Sequence, residues 1–487
     1  MISPDLATVE GLAGQYSIVP ICREIYADTF TPITVLRTLS GMGKNYFLLE
    51  SAEVGEKWGR YSFLGFDPVM RICCKENTVT IESQGQRTSI SSQNPLEVLR
   101  QIHREYRAPR INSLPPFTGG FVGYFGYAMI AYAEPKLTIK RGSFNDFDLL
   151  LCDKVIVYDH FRHKLLVVAN VKTDRVKENY AEGVDKIEFL TSLIRKSPSL
   201  PPVEKETSVR FTPATSKDEY CHMVKKAKEY IRAGDIFQVV LSRQFTAPFP
   251  YSLFNSYRVL RTTNPSPYMV YMNIGGDEII CSSPETLVRL QDGHLTTFPV
   301  AGSRPRGKTE AEDKRLEREL LTDEKELAEH NMLVDLGRND LGKISQFSSV
   351  RVAGYQSIRR YSTVMHICSQ VESDILPQYD AYSAIEAVLP AGTLSGAPKI
   401  RACEIIEALE KVPRGIYGGA LGYIDLSGNM DTCIAIRMAV KKEDTVYVQA
   451  GAGIVADSVP EKEYEESSHK AQAVINAVCR AGEVESL

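Results

Sequence analysis

Apolar positions along the first 195 residues fall mostly in short, strand-length runs. YFLLES (46–51), VMRICC (69–74), TVTIES (78–83), KVIVYD (154–159) and KLLVVANV (164–171) are rich in β-branched and aromatic side chains. Helical spacing interrupts them chiefly over 95–106 and 174–194. The stretch 195–213, RKSPSLPPVEKETSVRFTP, is crowded with Pro, Ser and charge and reads as a boundary. It divides the chain into residues 1–200 and residues 201–487. Beyond it comes an amphipathic helix over 217–233, stopped by Gly234. Strands then alternate irregularly with helices: IFQVVLSRQF, YMVYMNI, EIICSSP, LTTFPVAG, GALGYID, CIAIRMAVKK and TVYVQAGAG. Gly275–Gly276 and Asp292–Gly293 mark tight hairpins between them. The pattern predicts an α+β protein with large antiparallel sheets and helices against them, not a repeating βαβ chain.

Two predicted helices carry an unusual charge arrangement. One spans about 461–480, with Pro460 suited to a first helical position and Gly482 placed to end it. Its buried stripe is Ala471, Val474, Ile475 and Val478, and the line Glu466, Lys470, Val474 adjoins that stripe. The other, about 311–336, is heavily charged at first and turns apolar at Met332, Leu333, Val334 and Leu336. Its end carries Glu326, Glu329 and His330. Carboxylates three residues apart share a helix face, so Glu326/Glu329 and Glu463/Glu466 can each address one spot. Brought together, the two faces would form the oxygen-rich anionic cage that Mg²⁺ prefers. The plainer alternative is two solvated faces, with Glu466 and Lys470 forming a surface ion pair.

Composition narrows the class. The 487 residues are 43 % hydrophobic and 24 % charged, an ordinary globular balance. A net charge of −4 argues against a nucleic-acid partner, and no apolar run is long enough for a membrane span. The N-terminal sequence MISPDLATVEGLAG lacks secretory or transit character. Ten cysteines without a Cys-x-x-Cys or Cys/His cluster fit reduced, mostly buried thiols and a cytoplasmic location.

Four further features carry chemistry. LPAGTLSGAPKIR (389–401) packs turn residues before a helix opening at Pro398, so its amides and the Thr393 and Ser395 hydroxyls could cradle an anion or simply cap a helix. Gly451-Ala452-Gly453-Ile454-Val455-Ala456 formally matches the dinucleotide pattern, which would suggest an oxidoreductase, but Pro460 cuts the required helix short. The same amides could hold a carboxylate. Arg437 interrupts the apolar strand CIAIRMAV, and a buried guanidinium needs an anion, either a ligand's carboxylate or one of the chain's own acids. His366 is likewise a lone polar residue in an apolar strand, where a satisfied core histidine is the plain alternative.

Taken together, GDIFQVVLSR, NPSPYM, SSPETLVR, PVAGSRPRG, DEKELAEHNMLVDLGRNDLG, VMHICSQV, LPAGTLSGAPKIRA, GIYGGALGYID, CIAIRMA and QAGAGIVADSVPEKEYEES resemble the chorismate-utilising enzymes. Within that family they resemble the branch of anthranilate synthase large subunits, over nearly the whole chain. The resemblance implies two large antiparallel sheets stacked as a sandwich with helices outside. It also implies Mg²⁺, with Glu329 and Glu466 as direct ligands and Glu326 and Glu463 close by. Tyr417, Arg437 and the amides of Gly451, Ala452 and Gly453 would hold the enolpyruvyl carboxylate of chorismate. Gly302 and Ser303 would lie against its ring, Thr393 would line the site, and Lys470 would assist. Glu285 resembles the general acid for the departing 4-hydroxyl, and His366 the group that removes the ring proton as pyruvate leaves.

The same resemblance implies the product: chorismate and ammonia would give anthranilate and pyruvate, the first step of tryptophan biosynthesis. Gln238 stands where water-activating relatives carry Lys, and Ala301 where aminodeoxychorismate synthases commonly carry Lys. An aminodeoxychorismate or aminodeoxyisochorismate synthase is the sister alternative. Ser303 replaces a commoner Thr, and Gly337 a commoner Ala. No Gly-x-Cys-x-Gly nucleophile elbow occurs, so glutamine-dependent activity would need a separate amidotransferase subunit, in a heterotetramer of two large and two small subunits. LLESAEVGEKWGRYSFLG resembles the family's tryptophan-sensing segment, which implies feedback inhibition by L-tryptophan through Ser51, Pro267, Tyr268 and Met269.

Overall fold

The computed structural model describes residues 2–52, 59–195, 209–360 and 364–484. Two antiparallel sheets form among them, one of 13 strands and one of 12. Helices pack on the outer face of each, so the expected α+β sandwich is present. Phe47, Val270, Ile279 and Val440 of the first sheet meet Val122, Leu150, Leu421 and Cys433 of the second in a buried layer between them. The first sheet's other face is covered by helices Pro32–Ser40, Val176–Arg195, Phe254–Thr263 and Pro460–Cys479. Helices Pro95–Glu105 and Ala381–Val388 cover the second. Strands buried on both faces have no need to alternate. This is why Lys164–Lys172 reads as a nearly continuous apolar run.

Both sheets take strands from both halves of the chain. Tyr46–Glu50 pairs with Tyr268–Ile274, and Gly120–Phe125 pairs with Ala420–Asp425. The division at residues 200 and 201 therefore separates stretches of chain that share both sheets. The connecting stretch 196–208 lies outside the described residues.

Most predicted elements form close to their expected limits, including strand Lys154–Asp159 and helices Lys217–Arg232 and Pro460–Cys479. Three differ. The helix expected over 311–336 is two helices, Glu310–Leu321 and Glu324–Gly342. The Asp323 carboxylate separates them by accepting the Lys325 and Glu326 amides at 3.1 and 3.2 Å, which starts a new helix. LTTFPVAG is two strands, His294–Thr297 and Val300–Pro305. CIAIRMAVKK is also two, Met430–Ile434 in the second sheet and Met438–Lys442 in the first.

This last break matters for function, because the chain crosses there from one sheet to the other. A second crossing joins Asp277–Ser283 of the first sheet to Thr286–Gln291 of the second. Arg437 occupies one crossing and Glu285 the other. The Ile434 amide donates to the Glu285 carbonyl at 3.0 Å, which ties the two together.

Candidate active site

Around these crossings lies a cavity of about 550 Å³, within the usual range for a small-molecule site. It gathers Gln238, Glu285, Ala301, Gly302, Ser303, Glu326, Glu329, His366, Thr393, Tyr417, Arg437, Gly451, Gly453, Glu463, Glu466 and Lys470. These come from distant parts of the sequence. Ala452, whose amide was expected to contact substrate, does not line the cavity. Its side chain takes the opposite face of strand Thr445–Ile454 and is buried with Val239, Leu241 and Ile406. The dinucleotide alternative also fails on geometry, since Gly451 and Gly453 lie inside that strand and not in a strand-to-helix turn.

Glu285 borders the cavity and is part-buried. Burial pushes its pKa up to about 8, with the Thr393 hydrogen bond and the charge of Lys470 opposing. The Thr393 hydroxyl lies 3.2 and 3.3 Å from the two carboxyl oxygens. At neutral pH Glu285 therefore keeps its proton and can deliver it.

His366 is set up in the opposite sense. Burial lowers its pKa, the Gly302 carbonyl opposes this, and the Arg437 charge lowers it further. Its Nδ1 lies 2.9 Å from the Gly302 carbonyl oxygen, which can only accept. In the neutral ring Nδ1 therefore carries the proton, and Nε2 keeps a lone pair able to take one. An acid and a base thus border one cavity.

Glycine is required at two places on the wall. Gly302 has φ +68° at a bulge in Val300–Pro305, and a Cβ there would meet Glu326 Oε2 at 3.0 Å. A Cβ on Gly451 would meet the Leu241 carbonyl oxygen at 2.5 Å.

Anion-binding groups face the acids from another side. Arg437 sits in the left-handed region at φ +53°, a strained conformation for a side chain of its size. Its Nη1 donates to the Lys470 carbonyl at 3.0 Å, while burial lowers its pKa against the pull of Tyr417 and Glu466. Tyr417 is buried and its pKa is pushed up to about 12, so it stays a hydroxyl donor beside the Gly451 amide. The 389–401 loop supplies Thr393, but Ser395 is fully buried and donates back to the Ala391 carbonyl at 2.8 Å.

The four Glu residues enter from two helices, Glu326 and Glu329 on one, Glu463 and Glu466 on the other. Among the described residues no three His, Cys, Asp or Glu side chains are gathered closely enough to hold a metal, so the compact cage expected from sequence is open here. Cations fill part of its role: Lys470 pairs with Glu466 at 2.6 Å, and Arg304 with Glu326 at 3.5 Å. The expected surface ion pair and the shared cavity are therefore both real. Burial raises the pKa of Glu329, with Glu326 and Glu466 adding to the effect. Burial likewise raises that of Glu463, with Glu466 adding. His330, by contrast, is a core histidine bonded at 2.7 Å to the Ser369 hydroxyl.

Sequence reasoning missed three polar wall residues, Lys325, Gln449 and Ser458. Lys325 is hidden in the charged run DEKELAEH, which looks like any solvated face. Gln449 stood out as the lone side-chain amide of TVYVQAGAG and could have been found by the argument applied to Arg437.

A family-wide sequence profile described as chorismate binding enzyme matches residues 44–476. The chain belongs to the chorismate-binding enzymes. It is 44 % identical over 495 aligned positions to anthranilate synthase component 1 of Acetivibrio thermocellus, covering 99 % of this chain and 100 % of the relative. The protein of that name from Aquifex aeolicus is also 44 % identical, with 97 % of each covered. Among solved structures, anthranilate synthase component I from Streptococcus pneumoniae TIGR4 superposes with a TM-score of 0.77 at 36 % identity, over 92 % of this chain and 98 % of that one. The menaquinone-specific isochorismate synthase of Escherichia coli shares the fold, with a TM-score of 0.72 at 19 % identity over 97 % of this chain and 98 % of that one. In this chorismate-binding enzyme a second, smaller cavity of about 350 Å³ lies apart from the first. Ser51, Pro267, Tyr268 and Met269 all line it, while residues 53–58 of the segment LLESAEVGEKWGRYSFLG lie outside the described residues.

Proposed function

We propose that this chain is the chorismate-converting subunit of an anthranilate synthase. The observation that carries the reading is a proton-holding Glu285 and a neutral His366 on one cavity, beside Arg437 and Tyr417. Relatives of that name at 44 % identity over nearly the full length support it. Arg437, Tyr417 and the Gly451 amide would hold the enolpyruvyl carboxylate, and Gly302 and Ser303 would flank the ring. Ammonia adds at C2 while Glu285 gives its proton to the departing 4-hydroxyl, which leaves as water. The new C2 ammonium returns a proton to the Glu285 carboxylate, His366 Nε2 then takes the C2 proton, and the enolpyruvyl oxygen departs as the ring becomes aromatic, its methylene carbon taking up a proton to give pyruvate. Gln238 offers no basic amine, so water is left unactivated.

The carboxylate donor set suits Mg²⁺, a hard cation that takes oxygen ligands. Part-buried Glu329, repelled by Glu326 and Glu466, and part-buried Glu463, repelled by Glu466, would welcome a positive charge. Glu329 and Glu466 would hold the ion, with Glu326 and Glu463 near it. When bound, it would make the site attractive to the ring carboxylate and act as a Lewis acid there.

A separate glutamine amidotransferase subunit would supply ammonia, in a heterotetramer of two large and two small chains, in the cytoplasm. Among the described residues no helix is long and apolar enough to cross a membrane. L-Tryptophan would bind the 350 Å³ cavity and inhibit. The Tyr268 hydroxyl there lies 2.9 Å from that of Thr286, the neighbour of Glu285, which offers a short mechanical link to the acid. Ser51→Leu should fill part of that cavity and raise the half-inhibiting tryptophan concentration by about tenfold or more. The ammonium-supported rate should stay within about twofold of the parent. Unchanged tryptophan sensitivity would move the inhibitor elsewhere.

The direct test is to mix the protein with chorismate, MgCl₂ and an ammonium salt and identify the products. Fluorescent anthranilate with equimolar pyruvate is expected. An aminated product without pyruvate would replace the lyase reading with the aminodeoxychorismate alternative.

A further inference from the structure

Glu410 and Arg414 form an ion pair inside the protein, only 5 % and 4 % exposed. Glu410 directly follows helix Lys399–Leu409, and Arg414 comes four residues later. The contact is bidentate: Arg414 Nε donates to Glu410 Oε2 at 2.9 Å and Nη2 to Oε1 at 2.7 Å. Two ions taken out of water add little net stability, and apolar side chains of similar volume would often serve a fold as well. The other contacts of the pair point to a different purpose.

Each of them reaches a segment that borders the large cavity. Arg414 Nη1 donates to the Leu394 carbonyl at 2.5 Å and Nη2 to the Val240 carbonyl at 2.7 Å, and both of these residues line the cavity. Glu410 Oε1 accepts the Ser242 amide at 2.7 Å and the Ser242 hydroxyl at 3.0 Å. That hydroxyl in turn accepts the side-chain amide of the wall residue Gln449 at 2.8 Å. The Arg414 carbonyl accepts the Tyr417 amide at 3.1 Å, and its guanidinium carbon lies 5.8 Å from the Tyr417 ring centroid. Neither Glu410 nor Arg414 lines the cavity itself. One pair thus ties together strand Gln238–Pro248, strand Thr445–Ile454, the 389–401 loop and Tyr417. Leu394 immediately follows Thr393, whose hydroxyl bonds the Glu285 carboxyl.

We infer that Glu410 and Arg414 are positioning residues for the reaction, fixing Tyr417 and the Thr393 loop where chorismate meets them. This role rests on the chorismate reading proposed above and assigns it two residues that act without touching substrate. Burial pushes the Tyr417 pKa up to about 12 and the Arg414 charge opposes that rise, so the pair also tunes this hydroxyl as a donor. The planar fork of an arginine addresses Glu410, Val240 and Leu394 at once, which a single ammonium on a flexible stem does not reproduce.

The test uses the full chain with chorismate, MgCl₂ and ammonium chloride. Arg414→Lys keeps the charge and loses the fork; it should raise the KM for chorismate and lower kcat, each by about tenfold or more. Mg²⁺ affinity, measured by calorimetry without substrate, should stay within about twofold, because neither Glu329 nor Glu466 is bonded to the pair. Arg71→Lys is the control for a purely structural role. Arg71 makes the same bidentate contact with buried Asp148, at 2.9 and 2.7 Å, and does not line the cavity. Its loss should lower the melting temperature and leave both kinetic constants within about twofold. Ser242→Ala removes one hydroxyl from the network without stranding a charge, and should raise the chorismate KM by about threefold. It decides the matter if Arg414→Lys fails to fold. Unchanged constants in Arg414→Lys overturn the positioning role, and so does an equal kinetic loss in Arg71→Lys, which marks general loosening. An unchanged KM in Ser242→Ala overturns it as well. A parent protein that makes no anthranilate overturns the proposed function itself, which is a different failure.

Discussion

Glu285→Gln should lower anthranilate formation by about 10²–10⁴-fold at saturating chorismate and ammonium. The amide has nearly the same size as the acid and can still accept the Thr393 hydroxyl, so the pocket keeps its shape. What it loses is the transferable proton. The parent enzyme should lose the acid form of Glu285 as pH rises through about 8, so kcat should fall there, and the variant's residual rate should lack that fall. Stability provides an independent readout. The folded pKa lies above the ordinary value of 4.5, so the unfolded chain ionises first as pH rises. This group's contribution therefore turns against the fold between about pH 4.5 and pH 8 and stays unfavourable above. Glu285→Gln should then melt no lower than the parent at pH 8. Near-normal turnover in the variant would remove Glu285 from the chemistry.

The second large effect is expected at Glu466. Glu466→Gln should reduce Mg²⁺ affinity, measured by titration calorimetry without substrate, and turnover, each by at least about 100-fold. The neighbouring exposed Glu465→Gln should change neither, since Glu465 does not border the cavity. Removing the ion with EDTA should silence the parent and leave the variant's residual rate unaltered. The alternative is equally definite. If Glu466 only steadies Lys470 on the helix surface at 2.6 Å, its loss should cost a few tenths of a kcal/mol of stability and almost no activity. The calorimetric arm separates metal binding from any indirect effect on rate.

Gly337 and Arg437 show how differently sequence signals behave. Gly337 was noticeable as a departure from a commoner Ala, a small helix penalty with no stated purpose. A Cβ there would meet Thr297 Cγ2 at 3.3 Å and Pro299 Cγ at 3.4 Å, which gives that departure a physical setting. Arg437 was noticeable as one charge in an apolar run, and it lies part-buried on the cavity wall. Its conformation was not legible in the sequence. A continuous strand pattern gives no sign that the chain leaves one sheet for another at Ala435–Arg437, because both flanking strands are equally apolar. The break at Asp323 was hidden for a related reason. A capping Asp in a stretch already dense with Asp, Glu, Lys and Arg looks like one more solvated charge.

Local chemistry was enough for the rest of the elements. Apolar runs of strand length, helical spacing ended by Gly or begun by Pro, and Gly-containing turns set the antiparallel hairpins and the outer helices without reference to distant residues. The ordered motifs were also enough to mark the chorismate-binding family. Sequence could not decide which of the polar side chains face a common space. Alternation along strand Thr445–Ile454 sends Gly451 and Gly453 to the cavity and Ala452 to the core, and that assignment depends on which neighbour the strand packs against. The Glu pairs pose the same problem on a larger scale. Each helix fixes its own carboxylates on one face, but the gap between the faces is set by two sheets and everything packed between them. Proton affinity follows the same rule: nothing in the local sequence SSPETLVR marks Glu285 as an acid at neutral pH, and only burial in the folded chain pushes its pKa up to about 8.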